Sequence, residues 1–279
     1  MSYYDIAKES FVDEINLDTY IELPGSMSAY EELELSFEKP FKMMLLYGEP
    51  GTGKSLLLSR IYDKKKYQKE IHYIDSPLLD EEEFFRKLFD ILIQKPMPKN
   101  TKVDFNTFVE FCKVIKGQRE IIILLDEAQL YPKKLLEQIR ILSDTGVLRF
   151  VIAVHKTTDE DVIAKSHFQT RIWGTIELKN ATKEELKTYI HQRLLKFNQF
   201  EIANLIKQKN IDFIHKCTNG NFRACSKLMY TTFEIYQYYE KHDPSQFSNS
   251  TFSQKFLEMA AIATGAINVW YTRTREKMA

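Results

Sequence analysis

Eight consecutive residues, Gly48, Glu49, Pro50, Gly51, Thr52, Gly53, Lys54 and Ser55, place three glycines, a lysine and a hydroxyl at the spacing G-x-x-x-x-G-K-[ST]. Glycines at 48, 51 and 53 let a backbone wrap closely, so that its N–H groups cradle phosphate oxygens. The N-terminus of the helix that follows adds its positive dipole end. Lys54 would reach the β- and γ-phosphates, and Ser55 would set its hydroxyl on Mg²⁺. Glu49, Pro50, Thr52 and Leu56 complete the expected nucleotide-binding stretch. The chemistry suited to this pattern is MgATP binding. A chance glycine-rich turn is the competing reading. Against it, an apolar run precedes the segment and the helical run SLLLSRIY follows it, which is the context a phosphate loop requires.

A second cluster is IIILLDEAQ, 121–129, an apolar run that ends in two acids. Asp126 at the end of a buried strand would hold Mg²⁺ through water. Glu127, one position on, would polarise the attacking water. Alone such a run is weak evidence, and it gains meaning from the phosphate loop before it. Glu127 favours hydrolysis over transfer to a small-molecule acceptor, which a P-loop kinase would place there. His155 ends the run LRFVIAVH; beside the Asp126–Glu127 strand it would sense the γ-phosphate, and otherwise it caps a strand end. Arg171, in HFQTRI, and Arg223, in TNGNFRACSKL, are the remaining cations of interest. Hydrolysis needs positive charge on the γ-phosphate at the transition state, but from residue type alone both read as surface arginines.

These residues need a frame to hold them. From about residue 41 to 180, apolar runs alternate with helical patterns: strands at 41–48, 71–75, 121–126, 148–154 and 173–178, with helices such as 80–93 and 132–144 between them. Continuous apolar strands read as buried on both faces, so the fold class is α/β, a parallel sheet flanked by helices. QKPMPKN (94–100) reads as a loop. After residue 180 strand patterns stop. Thr182 and Glu185 stand in capping-box spacing, and several helical segments follow. The expected domains are 1–180, carrying the phosphate loop, and 181–279, a small all-helical lid.

Bulk properties narrow the partners. Lys plus Arg and Asp plus Glu are 39 each among 279 residues. With zero net charge, any contact with nucleic acid must come from a local patch. Three cysteines, Cys112, Cys217 and Cys225, lack metal-ligand or disulfide spacing and read as free, packed thiols in a reducing compartment. The N-terminus shows no signal-peptide pattern, and Phe256–Tyr271, the most apolar stretch, reads as a buried helix. The run DKKKYQKE (63–70) reads as a solvated loop. The aromatics Tyr230, Phe233, Tyr236, Tyr238 and Tyr239 read mostly as lid core. WYTRTREK (270–277) offers weak grounds for contact with anionic lipid or nucleic acid.

Taken together, GEPGTGKS, LLDEAQ, LLEQIRILSD, LRFVIAVH, QTRI, ELKNATKEELKTYIHQRL and TNGNFRACSKL resemble the AAA+ ATPases, and within them the general secretion pathway protein A family. That family includes pilus-biogenesis ATPases and is similar to transposition helper ATPases. The resemblance spans roughly residues 20–230. It implies that His155 is the sensor-1 residue, Arg171 a trans-acting arginine finger and Arg223 a sensor-2 residue contacting the nucleotide. This chain has Val154 and His155 where the family's sensor-1 strand usually ends in Gly-Gln. The cofactors implied are ATP and Mg²⁺, with ATP-dependent self-association. Two processes stand open: an assembly switch or motor for an envelope machine such as a pilus or secretion system, acting from the cytoplasmic face, or a DNA-associated ATPase such as a transposition regulator or loader. Neutral charge tilts the reading to the first.

Overall fold

The computed structural model describes residues 2–94, 104–155, 169–246 and 250–267. Residues 95–100 of the expected loop at 94–100, and the tail at 270–277, lie outside the described residues. The chain divides into two compact units, one of residues 26–178 and one combining residues 1–25 with 179–279.

The first unit is built on five parallel strands: β1 (Met43–Gly48), β2 (Ile71–Ile74), β3 (Ile121–Leu125), β4 (Leu148–His155) and β5 (Ile172–Leu178). They lie in the order β2-β3-β4-β1-β5. Every residue of β3 is buried, and its side chains alternate between two cores. Ile121, Ile123 and Leu125 face one, with Phe84, Phe85, Leu88 and Phe108. Ile122 and Leu124 face the other, with Leu33, Leu57, Leu58 and Ile61. Apolar residues on both faces are what a doubly covered parallel sheet demands.

Helices supply those covers. α1 (Asp5–Glu9) belongs to the other unit; α2 (Pro24–Ser36) and α3 (Lys54–Lys65) contribute to one layer. α4 (Glu81–Ile93), α5 (Phe105–Ile115) and α6 (Lys133–Ser143) form the opposite layer. The Asp80 side chain caps α4 by accepting from Glu83 N at 2.9 Å. Acids at 81, 82 and 83 in its first turn suit the helix dipole. The 63–70 run, expected as a loop, begins inside α3, whose last turn takes in residues 63–65; beyond it Lys66 pairs with Asp63 at 2.7 Å and Lys69 with Glu38 at 2.8 Å.

The second unit is helical: α7 (Lys183–Lys196), α8 (Phe200–Leu205), α9 (Gln208–Thr218), α10 (Phe222–His242) and α11 (Gln254–Ala263). The expected capping box forms at the start of α7. Thr182 Oγ1 accepts from Glu185 N at 3.2 Å, and Glu185 Oε2 accepts from Thr182 N at 3.0 Å. Cys225, Phe233 and Tyr236 are core residues here, whereas Tyr238 is exposed. Phe256, Leu257, Ala260 and Ala261 of α11 are buried in the same core. No helix among the described residues is long and apolar enough to cross a membrane.

The sequence reading placed residues 1–25 with the sheet; in the structure they pack with the helices. Tyr4, Ala7 and Phe11 are buried in the helical core, and the Tyr4 ring stacks on Tyr236 with centroids 4.5 Å apart. The Arg193 guanidinium is buried and holds the segment by donating to Ser10 O at 2.7 Å, Val12 O at 3.2 Å and Thr19 Oγ1 at 3.0 Å. A buried charge needs such acceptors, and here they come from the N-terminal chain.

Candidate functional site

The segment 48–55 turns tightly from β1 into α3. Gly48 closes β1 between its two neighbours, opposite His155 of β4 and Leu178 of β5. A Cβ at Gly48 would lie 2.3 Å from the Leu178 carbonyl oxygen, so a side chain would push β5 away. Gly53 precedes the helix with φ +96°, a left-handed conformation that glycine adopts without cost. Lys54 begins α3 and is only 5% exposed. Its ammonium folds back over the loop and donates to Gly48 O at 2.9 Å and Glu49 O at 3.0 Å. Thr52 Oγ1 closes the turn by donating to Glu49 O at 2.9 Å. Ser55 and Leu56 lie in the first turn of α3.

Asp126 stands at the C-terminal end of β3, beside the loop. It is 2% exposed, and its hydrogen-bond partners are neutral. Tyr73 Oη donates to its Oδ2 at 3.0 Å, and Glu127 N donates to its Oδ1 at 2.9 Å. Burial first, and then the charge and hydrogen bond of Asp126, push the Tyr73 phenol well above its ordinary pKa, so it stays a donor. The same oxygen lies 3.4 Å from Ser55 O. One hydroxyl therefore touches both residues expected to hold Mg²⁺. A buried carboxylate with only neutral partners fits a divalent cation. One carboxylate, one hydroxyl, water and phosphate oxygens are the donor set Mg²⁺ accepts.

Glu127 follows with φ +48°, an uncommon backbone for a residue with a side chain. Its carboxylate is held by His155 and Gln129. His155 Nε2 lies 3.2 Å from Glu127 Oε1 and 3.1 Å from Oε2, and Gln129 Nε2 donates to Glu127 Oε2. The expected adjacency of His155 and Glu127 is thus present, through the β3–β4 pairing. In this structure His155 faces the Glu127 carboxylate. Gln129 and Tyr73 were not singled out from sequence. Tyr73 sits beside Asp126 because β2 pairs with β3, whereas Gln129 follows Glu127 by two residues and meets His155 because β3 pairs with β4.

Arg171 lies at the other end of the sheet. Ile172, the next residue, pairs with Met43 at the start of β1, whereas Gly48 pairs with Leu178. The seven residues of β5, at about 3.3 Å each, put roughly 20 Å between Arg171 and its own phosphate loop. Its Nη2 meets Asp144 Oδ2 at 3.3 Å, and Lys42 Nζ meets Asp144 Oδ1 at 2.5 Å. Burial opposes the charge on Asp144, but Lys42 and Arg171 outweigh it and hold the carboxyl below its ordinary pKa. Arg223, in the helical unit, pairs with Asp13 at 2.9 Å on an exposed surface. Cys112 and Cys225 are buried in the two cores, and burial pushes the Cys112 thiol up to about 12.

Residues 39–160 match the family model described as AAA domain. No curated protein matches the chain. Among solved structures, the chain is similar to Cdc6p from Pyrobaculum aerophilum, at 15% identity over 84% of this chain and 66% of that one, with a TM-score of 0.60. It is also similar to the Aeropyrum pernix ORC1 protein in complex with DNA, at 14% identity, 92% and 69% coverage and a TM-score of 0.59. Domain III of the Thermotoga maritima replication initiation protein DnaA matches at 18% identity, 89% and 96% coverage and a TM-score of 0.50. The chain therefore spans just under two thirds of the Pyrobaculum protein. Its fold is the AAA+ P-loop fold: a parallel five-stranded sheet flanked by helices, with a helical C-terminal region.

Proposed function

We propose that this chain binds MgATP at the C-terminal edge of its sheet, hydrolyses it, and uses the cycle to work a switch on DNA or a DNA-bound partner. The observation that carries the ATPase reading is the Tyr73 hydroxyl, 3.0 Å from Asp126 and 3.4 Å from Ser55 O. It ties the phosphate loop to the acidic strand end across β2. In this reading Lys54 leaves the carbonyls of Gly48 and Glu49 for the phosphates. The backbone of 48–56 wraps them, and Ser55 and Asp126 hold Mg²⁺. The metal supplies charge neutralisation at the phosphate oxygens. Glu127 orients the attacking water.

Arg171 serves the site of a second copy in this reading, because its own loop is out of reach. Arg223 keeps the nucleotide-contacting role that the sequence resemblance implies. Its exposed pairing with Asp13 is of a kind that contributes little and yields easily.

The choice of partner rests on the similar structures, which include a replication initiation protein and a protein bound to DNA. They favour DNA over the envelope machine, which has only the sequence resemblance behind it. With equal numbers of acidic and basic residues, DNA contact depends on a local basic surface and weakens with salt. A cytoplasmic placement fits this reading. The test is ATP turnover with and without duplex DNA at low salt, with anionic vesicles as the other arm. DNA should bind and accelerate turnover. Stimulation by vesicles alone would restore the envelope reading.

A further inference from the structure

Gln129 makes two kinds of hydrogen bond, and together they fix the state of a neighbouring ring. Its Oε1 lies 3.2 Å from the backbone N of His155. A backbone N–H only donates, so the carboxamide oxygen faces it and the NH₂ group faces the other way. On that side are the Glu127 carboxylate, which accepts from Gln129 Nε2, and His155 Nδ1, 3.3 Å from the same nitrogen. One NH₂ hydrogen goes to each, which makes Nδ1 an acceptor. A neutral imidazole then carries its proton on Nε2. That nitrogen lies 3.1–3.2 Å from the Glu127 oxygens, so it donates to them.

We infer that Gln129 is a positioning residue: it selects the Nε2–H tautomer of His155 and so makes the ring a donor that orients Glu127. The inference rests on the proposed role of Glu127 in orienting water. The direction of every bond follows from one fixed donor, the His155 backbone N–H in β4. Asp126 Oδ1 anchors the Glu127 backbone N–H at 2.9 Å, so both ends of Glu127 are held. Both ring nitrogens of His155 are also committed within the protein. A γ-phosphate-sensing role for this side chain would therefore require the Glu127 bond to break first.

A glutamine is needed at 129 because it offers an acceptor and two donors on one planar group. Glutamate at that position offers no donor and places a second carboxylate beside Glu127. Methionine keeps the length and offers neither strong partner. Misplacement of a reacting group by about 1 Å costs roughly 10²-fold in rate, so Gln129→Met should lower kcat by about 10- to 100-fold with the KM for ATP unchanged.

The test has a structural arm and a kinetic arm. The structural arm is long-range ¹H–¹⁵N correlation on histidine-labelled, nucleotide-free protein at mildly alkaline pH, with His155→Gln identifying the resonance. The wild type should show the Nε2–H tautomer, and Gln129→Met should lose that preference while the rest of the spectrum persists. An Nδ1–H tautomer or an imidazolium in the wild type overturns the inference. So does a Gln129→Met variant that keeps either the wild-type tautomer or the wild-type kcat. The kinetic arm adds Gln129→Met to Glu127→Gln. A residue acting through Glu127 adds no further loss, whereas a merely structural one multiplies the two losses and overturns the role. If Glu127→Gln alone turns over at the wild-type rate, the water-orienting role fails, and the tautomer result still stands or falls by itself.

Discussion

Tyr73 shows how a residue outside any motif joins the site. Its ring is held in β2, and its hydroxyl gives a single proton, directed at the shorter of two contacts, Asp126 Oδ2 at 3.0 Å. Replacing it by phenylalanine leaves the buried carboxylate with the Glu127 N–H alone. A buried acceptor stripped of a donor costs about 1–3 kcal/mol, and that cost falls on the geometry expected to hold Mg²⁺. Tyr73→Phe should raise the Mg²⁺ concentration for half-maximal turnover several-fold while nucleotide affinity at saturating Mg²⁺ stays near wild type. An unchanged Mg²⁺ titration would mean that the hydroxyl does not order the site. The motif residues around it were legible one by one, since glycine, lysine and acid each have a narrow use at those spacings. Tyr73 and Gln129 were not, because a lone Tyr or Gln carries no such restriction and becomes informative only after strand neighbours are known.

Among the elements, the five strands were legible almost to the residue. Apolar runs such as IIILL are buried on both faces, and periodicity then leaves few alternatives. The helix α7 was legible for another reason: its capping box is written in Thr182 and Glu185, and both of its hydrogen bonds are present. Thr182→Ala should lower the unfolding free energy by ~1 kcal/mol, the usual value of such a cap, as read by urea denaturation. ATP affinity of the folded protein should be unaffected. A stability equal to wild type would show that the helix start is held by its packing alone. The N-terminal segment was misassigned for a physical reason. α1 is five residues long, too short to show a periodic pattern, and Tyr4 and Phe11 are held by residues about 200 positions away, as in the Tyr4–Tyr236 stack. Arg193, which anchors the segment, looks like any helix-surface arginine until its acceptors are seen.

For the molecule as a whole, the position of Arg171 matters most. With roughly 20 Å of β5 between it and its own loop, its proposed finger role requires the nucleotide of another copy. An arginine supplied in trans contributes ~10³–10⁵ in rate in other NTPases. Specific activity should then rise with protein concentration, and ATP should promote self-association. Arg171→Ala should bind ATP normally and stay slow at every concentration. Mixed with Glu127→Gln, it should regain part of the activity, because a mixed interface pairs an intact Glu127 with an intact Arg171. A wild type whose activity ignores concentration, together with a dead mixture, would make Arg171 a partner of Asp144 and nothing more.

The claim on which the rest depends is that Lys54, Asp126 and Glu127 form one MgATP-hydrolysing site. It is tested most directly by measuring ATP affinity and turnover side by side in wild type, Lys54→Ala and Glu127→Gln. Wild type should bind and hydrolyse ATP. Lys54→Ala should lose tight binding, because it removes the cation buried against the loop carbonyls. Glu127→Gln should bind as wild type does and lose turnover by about 10²-fold or more. Wild-type affinity in Lys54→Ala, or wild-type turnover in Glu127→Gln, would contradict the account.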